Sequence, residues 1–490
     1  MARAYADDVM PPARSARHGP GWSPRSPRNQ PGDRERTAFS PIARSKRNLV
    51  LGGDLAFPSV SLGPPIAKRL SRMDVQIEAN RCLNCYDAPC IRACPTGIDV
   101  PRFIGRIATG DMLGSAQTIM DANPVGASCA RVCPTSQLCE GACVYNADEN
   151  PIRIGDLQRY ATDWAIRENV TLFEAGPPTG KRVAVIGSGP AGLAAARDLA
   201  RMGHAVVIFE RDDAPGGLDT YGIVPFRLPA EIALWEAEQV RALGVEIRTG
   251  VTVGETIAAD AILAEYDAVV IAVGMGSVPR LGIDGEDAAG VWDALDFIRI
   301  AKSGGDVGVL GDAVAVIGGG NTAIDAATCS RRLAVPAVTM YYRRGAERMT
   351  AYDFELEFAK VEGVEFRTFT LPTRIVVENG RVAGLEIVST APDNSARPLT
   401  GTERVVPADT VILAIGQTRH VALLDAFGVT HDVNGIAAVD DAMRTNRPNV
   451  YAAGDCMFTP GGVDAMVVEA AQRGKVAARS ADLFLRAGRS

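Results

Sequence analysis

The chain has 490 residues, 47% hydrophobic and 22% charged, which suits a soluble globular enzyme of about three domains. Its formal net charge of −7 gives no reason to expect nucleic-acid binding. No apolar run reaches the ~18 residues of a membrane span, and the N-terminus lacks the apolar core of a secretory signal. A cytoplasmic location with reduced cysteines is therefore expected.

Residues 1–50 are rich in Arg, Pro and Ser and show no apolar periodicity. That composition predicts a disordered basic arm, extending to about residue 70. A docking arm and a start at Met73 are the alternatives. Asp7, Asp8, Asp33 and Glu35 argue against a transit peptide.

Residues 71–172 read as mostly helical, with short amphipathic segments at 75–82 and 100–107 between Cys/Pro/Gly loops. Eight of the ten cysteines fall here, in two groups. The first is Cys82-x-x-Cys85-x4-Cys90-x3-Cys94-Pro95, and the second is Cys129-x3-Cys133-Pro134-x4-Cys139-x3-Cys143. Cuboidal clusters need four ligands from closely folded loops, with Pro common after a ligand. Structural zinc favours paired C-x2-C knuckles, which neither group supplies. Two [4Fe–4S] clusters are expected. One cluster per group and an interleaved sharing both remain open on spacing.

From Lys181 short Val/Ile/Ala strands alternate with helices, which predicts parallel sheets. A strand at 183–186 runs into Gly187-Ser-Gly189-Pro190-Ala191-Gly192 and then a helix at 193–202. This is G-x-G-x-x-G in its required context, with the helix N-terminus offered to a pyrophosphate. The next strand, 205–209, ends at Glu210, placed to accept from ribose hydroxyls. The turn Pro215-Gly-Gly217-Leu218, Gly274 and the distant Gly454-Asp455 are assigned to the same site. A helix expected at 463–484 follows that last pair. These pieces resemble flavoproteins with two dinucleotide-binding domains, in which FAD is held by both ends of the chain.

A second unit begins with a strand at 313–317, then Gly318-Gly-Gly320-Asn321-Thr322-Ala323 and a helix. Its next strand, 338–342, ends in Arg343-Arg344, with Arg348 nearby. No acid stands at the ribose position, and Arg there can pair with a 2′-phosphate, so NADPH is favoured over NADH. The two units, about 130 residues apart, form a coarse internal repeat. The fold expected is α/β: a helical iron–sulfur domain at 71–172, then two Rossmann-like domains. The FAD domain is expected at 173–302 and 413–490, and the NAD(P)H domain at 303–412.

Several stretches carry a specific resemblance. They are Asn80-Arg-Cys-Leu-Asn-Cys85, Asp87-Ala-Pro-Cys90, Cys94-Pro-Thr-Gly-Ile-Asp99, Cys133-Pro-Thr-Ser-Gln-Leu-Cys139 and Tyr221-Gly-Ile-Val-Pro-Phe-Arg-Leu-Pro229. Residues 75–485 resemble the N-terminal half of dihydropyrimidine dehydrogenases and the small subunit of glutamate synthase. The resemblance implies one cluster on Cys82, Cys85, Cys90 and Cys143. It implies a second on Cys94, Cys133, Cys139 and Gln158, leaving Cys129 unligated. The alternative for Gln158 is a helix-surface residue bonded to backbone. The resemblance also implies hydride transfer from NADPH (or NADH) to FAD, electron transfer through two [4Fe–4S] clusters, and an electron-accepting partner subunit. A dihydropyrimidine dehydrogenase subunit carrying FMN is the leading partner and a glutamate synthase large subunit the alternative. Hydride transfer needs positioning, so no catalytic acid or base is assigned. Met466, where a Thr is common, departs from the pattern. Cys329 and Cys456 form no C-x-x-C pair and read as buried small hydrophobes.

Overall fold

The computed structural model describes residues 62–65, 70–458 and 465–487. The expected N-terminal arm lies almost wholly outside them, and so does the start of the expected helix at 463.

Six helices come first: α1 (Arg72–Asn80), α2 (Pro89–Arg92), α3 (Val100–Thr109), α4 (Met112–Ala122), α5 (Gly126–Val132) and α6 (Ile154–Arg167). α1 starts at a capping box, Ser71 and Asp74 each accepting from the other's backbone N–H. In α3, Asp99 caps the first turn, and Gly110, left-handed at φ 83°, ends the helix. Val100, Phe103, Ile104 and Ile107 recur at helical spacing and are at most 2% exposed. Each such burial contributes about 1.5–3 kcal/mol. They share a core with Leu228, Ile232 and Trp235, two of which lie on the helix Ala230–Arg241. The helical layer is thereby fixed against the sheets that follow.

The strands are β1 (Arg182–Ile186), β2 (Ala205–Phe209), β3 (Glu246–Arg248), β4 (Ala268–Ile271), β5 (Val291–Asp293), β6 (Ala313–Ile317) and β7 (Ala337–Tyr341). They continue with β8 (Glu365–Arg367), β9 (Thr370–Glu378), β10 (Arg381–Ser389), β11 (Arg404–Val406), β12 (Thr410–Leu413) and β13 (Val450–Ala452). Two parallel sheets result, ordered β13-β4-β1-β2-β3 and β5-β12-β6-β7-β8. In each, the glycine-turn strand sits centrally, with its sequential successor on one side and a later strand on the other. That is a topological switch point, where the carboxyl ends open a crevice. Two corrections follow. β5 pairs with β12, Val291 beside Val411, so the second sheet begins before residue 303 and reaches Leu413. An antiparallel sheet, β11-β10-β9, was not expected at all.

Candidate functional site

β1 turns through Gly187 into the helix Pro190–Arg201. Gly187 is left-handed (φ 96°), and a Cβ there would stand 2.5 Å from the Ala272 carbonyl oxygen. A Cβ at Gly192 would stand 2.0 Å from that of Gly187, so only glycine lets the helix begin this close. At Gly189 a Cβ would meet nothing within 4 Å, because this face opens on a cleft of about 690 Å³. Pro190, Ala191, Glu210, Gly217, Leu218, Gly274, Gly454 and Asp455 also line that cleft. Glu210 is 5% exposed and accepts from Ser188 N (2.8 Å), Ser188 Oγ (2.5 Å) and Asp212 N (2.8 Å). Burial pushes the Asp455 carboxyl above the usual range, against Arg473 and Arg419. Bare backbone at a helix N-terminus beside a buried acid fits a dinucleotide's pyrophosphate and ribose.

Other residues of this cleft carried no motif. Arg299 donates to both Asp212 oxygens (2.9 and 3.1 Å) and lies 4.2 Å over the Tyr221 ring. Arg419 holds the Asp455 loop through the carbonyls of Asp455 (2.6 Å) and Phe458 (2.8 Å). Gly474, on the helix Val467–Ala487, brings that helix onto Ala191: a Cβ would stand 2.1 Å from the Ala191 carbonyl oxygen. A lone glycine inside a helical pattern was the available signal.

A second cleft, of about 380 Å³, is lined by Gly318, Gly320, Thr322, Arg343 and Arg344. Thr322 also lines the first cleft, as does Asn321, whose Oδ1 accepts from Tyr352 N (3.0 Å). Arg343 is exposed, while the Arg344 guanidinium donates to the Asn394 carbonyl (3.1 Å). Arg348 is exposed and is not part of this lining; its carbonyl accepts from Tyr342 Oη (2.6 Å).

Cys82, Cys85, Cys90 and Cys143 surround a small cavity of about 30 Å³. Cys139 lies close enough to Cys133 and Cys94 for their charges to act on it. All ten thiols are free. Among the described residues no three His, Cys, Asp or Glu side chains are set to hold a single metal ion. An iron–sulfur cube is larger than one ion, so its thiolates stand further apart. Burial raises the thiols of Cys82, of Cys90 (to about 11) and of Cys139. Such thiolates are costly unless a cation compensates them, which is the donor chemistry iron requires. Cys129 is 1% exposed, packed in the apolar core with Val125, and burial pushes its thiol far up. Gln158 is not on the surface: it is buried, with Nε2 donating to the Gly126 carbonyl (2.7 Å).

Residues 181–475 match the family described as pyridine nucleotide-disulphide oxidoreductase, and residues 64–170 match dihydropyrimidine dehydrogenase domain II, 4Fe-4S cluster. The chain belongs to this oxidoreductase family. It is 35% identical over 437 residues to the glutamate synthase [NADPH] small chain of Escherichia coli K12, covering 84% of this chain and 92% of that one. It is also 35% identical over 409 residues to the NAD-dependent dihydropyrimidine dehydrogenase subunit PreT of the same strain, covering 83% and 93%. Mycobacterium tuberculosis FprA in complex with NADPH shares the fold, with TM-score 0.52 and 22% identity over 64% of this chain and 86% of that one. This family member is an NAD(P)H-dependent iron–sulfur flavoprotein oxidoreductase, and the two relatives just described are named as subunits of multi-subunit enzymes. No described helix is long and apolar enough to cross a membrane.

Proposed function

We propose that this chain is a cytoplasmic electron-input subunit holding FAD and two [4Fe–4S] clusters, which serves a pyrimidine-reducing dihydropyrimidine dehydrogenase partner. When bound, FAD takes hydride from NAD(P)H and gives up electrons singly, and the clusters carry them. The observation that carries the reading is the lining of the larger cleft. Gly187 and Gly189 of the first unit, Asn321 and Thr322 of the second, and Cys133 of the helical layer all open on it. Gly187, Gly189 and the N-terminus of the helix Pro190–Arg201 would hold the FAD pyrophosphate, and Glu210 its ribose. Gly318, Gly320, Asn321 and Thr322 would hold the nicotinamide dinucleotide, with Thr322 at the junction of the two clefts. Cys94, Cys133, Cys139 and Gln158 would hold the cluster nearer the flavin. Cys82, Cys85, Cys90 and Cys143 would hold the outer one, next to the exposed Leu83, Tyr86 and Val144. A partner would dock on that face.

One observation favours a second reading. Arg343 at the mouth of the smaller cleft suits a 2′-phosphate, and the relative named for NADPH is the glutamate synthase small chain. Anaerobic native co-purification tests both. An FMN-containing dihydropyrimidine dehydrogenase subunit supports the first reading and a glutamate synthase large subunit the second. Recovery of neither contradicts the assigned partnership.

A further inference from the structure

This inference rests on the proposed function. Oxidation of each nicotinamide is NAD(P)H → NAD(P)⁺ + H⁺ + 2 e⁻. If the clusters take the electrons alone, one proton per hydride must leave the larger cleft.

Asp219 lies on the short helix Leu218–Tyr221, directly after Gly217, and lines the same cleft as Cys133. It is 2% exposed, and neither carboxyl oxygen has a hydrogen-bond partner among the described residues. An unpartnered buried carboxyl is costly as an anion and is a ready proton acceptor when its surroundings allow it. Lys302, 1% exposed, donates from Nζ to the backbone carbonyl of Asp219 at 2.8 Å. Asp219, Asp325 and Glu231 all act electrostatically on Lys302, and Glu231 is at the surface. We propose that Asp219 accepts the proton released in the cleft and hands it to water there, with the Lys302 ammonium tuning the carboxyl. An O–H bond forms on Asp219 as the proton arrives and breaks as a cleft water takes it, which leaves the carboxylate and a hydronium ion free to diffuse out.

The surroundings match this role. Burial raises Asp219 to about 7, so its carboxyl can take up and give back a proton near neutral pH. Asp455 also pushes Asp219 up, while Lys302 and Ser128 pull it down. The Ser128 hydroxyl is committed to Glu236 Oε2 (2.5 Å). Glu236 faces Asp219 too, but it accepts from Ala127 N (2.7 Å) and Ser128 N (2.9 Å) as well, which leaves it poorly placed to exchange protons. The Cys129 thiol, raised far up by burial, faces the same carboxyl.

The test uses the full chain with its cofactors, kept anaerobic. The reduced-minus-oxidised infrared spectrum should contain a protonated-carboxyl band that shifts in D2O and is absent from Asp219→Asn. In stopped flow with NADPH, cluster reduction relative to flavin bleaching should fall by about tenfold or more in Asp219→Asn. Proton release to a pH dye should fall in step, and Asp219→Glu should restore both. A surviving infrared band, or an unchanged ratio, overturns the assignment. Should Asp219→Asn not retain flavin, Lys302→Met decides: loss of the ammonium that pulls Asp219 down should move the pH dependence of the carboxyl band upward, and an unmoved band overturns the assignment. A wild-type chain that bleaches no flavin or reduces no cluster contradicts the proposed function itself.

Discussion

Arg227 ties the two nucleotide-binding halves together, and its removal should be costly in a pH-dependent way. Its guanidinium donates to both Asp325 oxygens (3.0 and 3.2 Å) and pairs with Glu355. The three side chains are 10%, 6% and 3% exposed, so water screens them little. Burial raises both acids, Glu355 to about 7, while Arg227 pulls both down. Arg227→Met would leave two buried carboxylates without their cation. Breaking such a group from one side costs about 3–5 kcal/mol, roughly two to four powers of ten in the unfolding equilibrium. The sign with pH follows from the raised folded-state values. Between the ordinary 4.5 and about 7, the folded chain holds more protons on Glu355 than the unfolded chain does. Stability from this group therefore falls as pH rises through that window. Without Arg227 the window extends upward, so the variant should be close to wild type at pH 5 and weakest at pH 8. Replacing all three, Arg227→Met with Asp325→Leu and Glu355→Met, should cost less than the single change, since an apolar trio leaves no buried charge. Urea unfolding of the loaded protein, followed by circular dichroism, reads these midpoints. Equal midpoints for wild type and Arg227→Met at pH 8, or a triple variant weaker than the single, would refute the reasoning.

Glu210→Ala should weaken flavin retention by about tenfold or more, as expected for losing charge-assisted hydrogen bonds; flavin released on gel filtration measures it. Cys139→Ser should lose about half the iron, while Cys129→Ser, altering an unligated core thiol, should keep all of it. Iron per chain decides this, and the opposite ranking would place Cys129 in a cluster. Arg343→Ala should lower kcat/KM for NADPH by about tenfold or more and leave NADH nearly untouched; equal loss for both would remove the 2′-phosphate argument.

Local chemistry explains what could be read from the sequence. Gly192 is required by a contact within one strand–turn–helix unit, the Gly187 carbonyl, and Gly187 by its left-handed φ, so their spacing announces the turn. Gly187 and Gly318 are held further by distant carbonyls, of Ala272 and Ala414, which the motif does not show. The alternation of apolar strands with helices after Lys181 likewise announces parallel sheets. What escaped depends on distant partners. Val291 joins the second sheet only because Val411 lies beside it. The β9–β10 hairpin is different: it turns at Asn379-Gly380, both left-handed (φ 50° and 76°), a local signal that stands in the sequence although no hairpin was expected there. Gly474 gains its meaning from Ala191, nearly the whole length of the two nucleotide-binding units away. Asp219 and Lys302 look like surface charges in sequence and become a buried pair only through the packing of the helix Ala294–Lys302. Arg348, close to the same strand end as Arg343, is exposed and lies outside the lining of the smaller cleft, a placement that its sequence position alone does not reveal.

The central claim is that nicotinamide, flavin and two clusters are joined in one chain. Anaerobic titration of the purified protein with NADPH, followed by visible absorbance and electron paramagnetic resonance, tests it directly. Flavin bleaching accompanied by signals from reduced [4Fe–4S] clusters, with iron and sulfide for two clusters per chain, is the predicted result. Bleaching with no reduced-cluster signal in an iron-loaded chain would contradict the account.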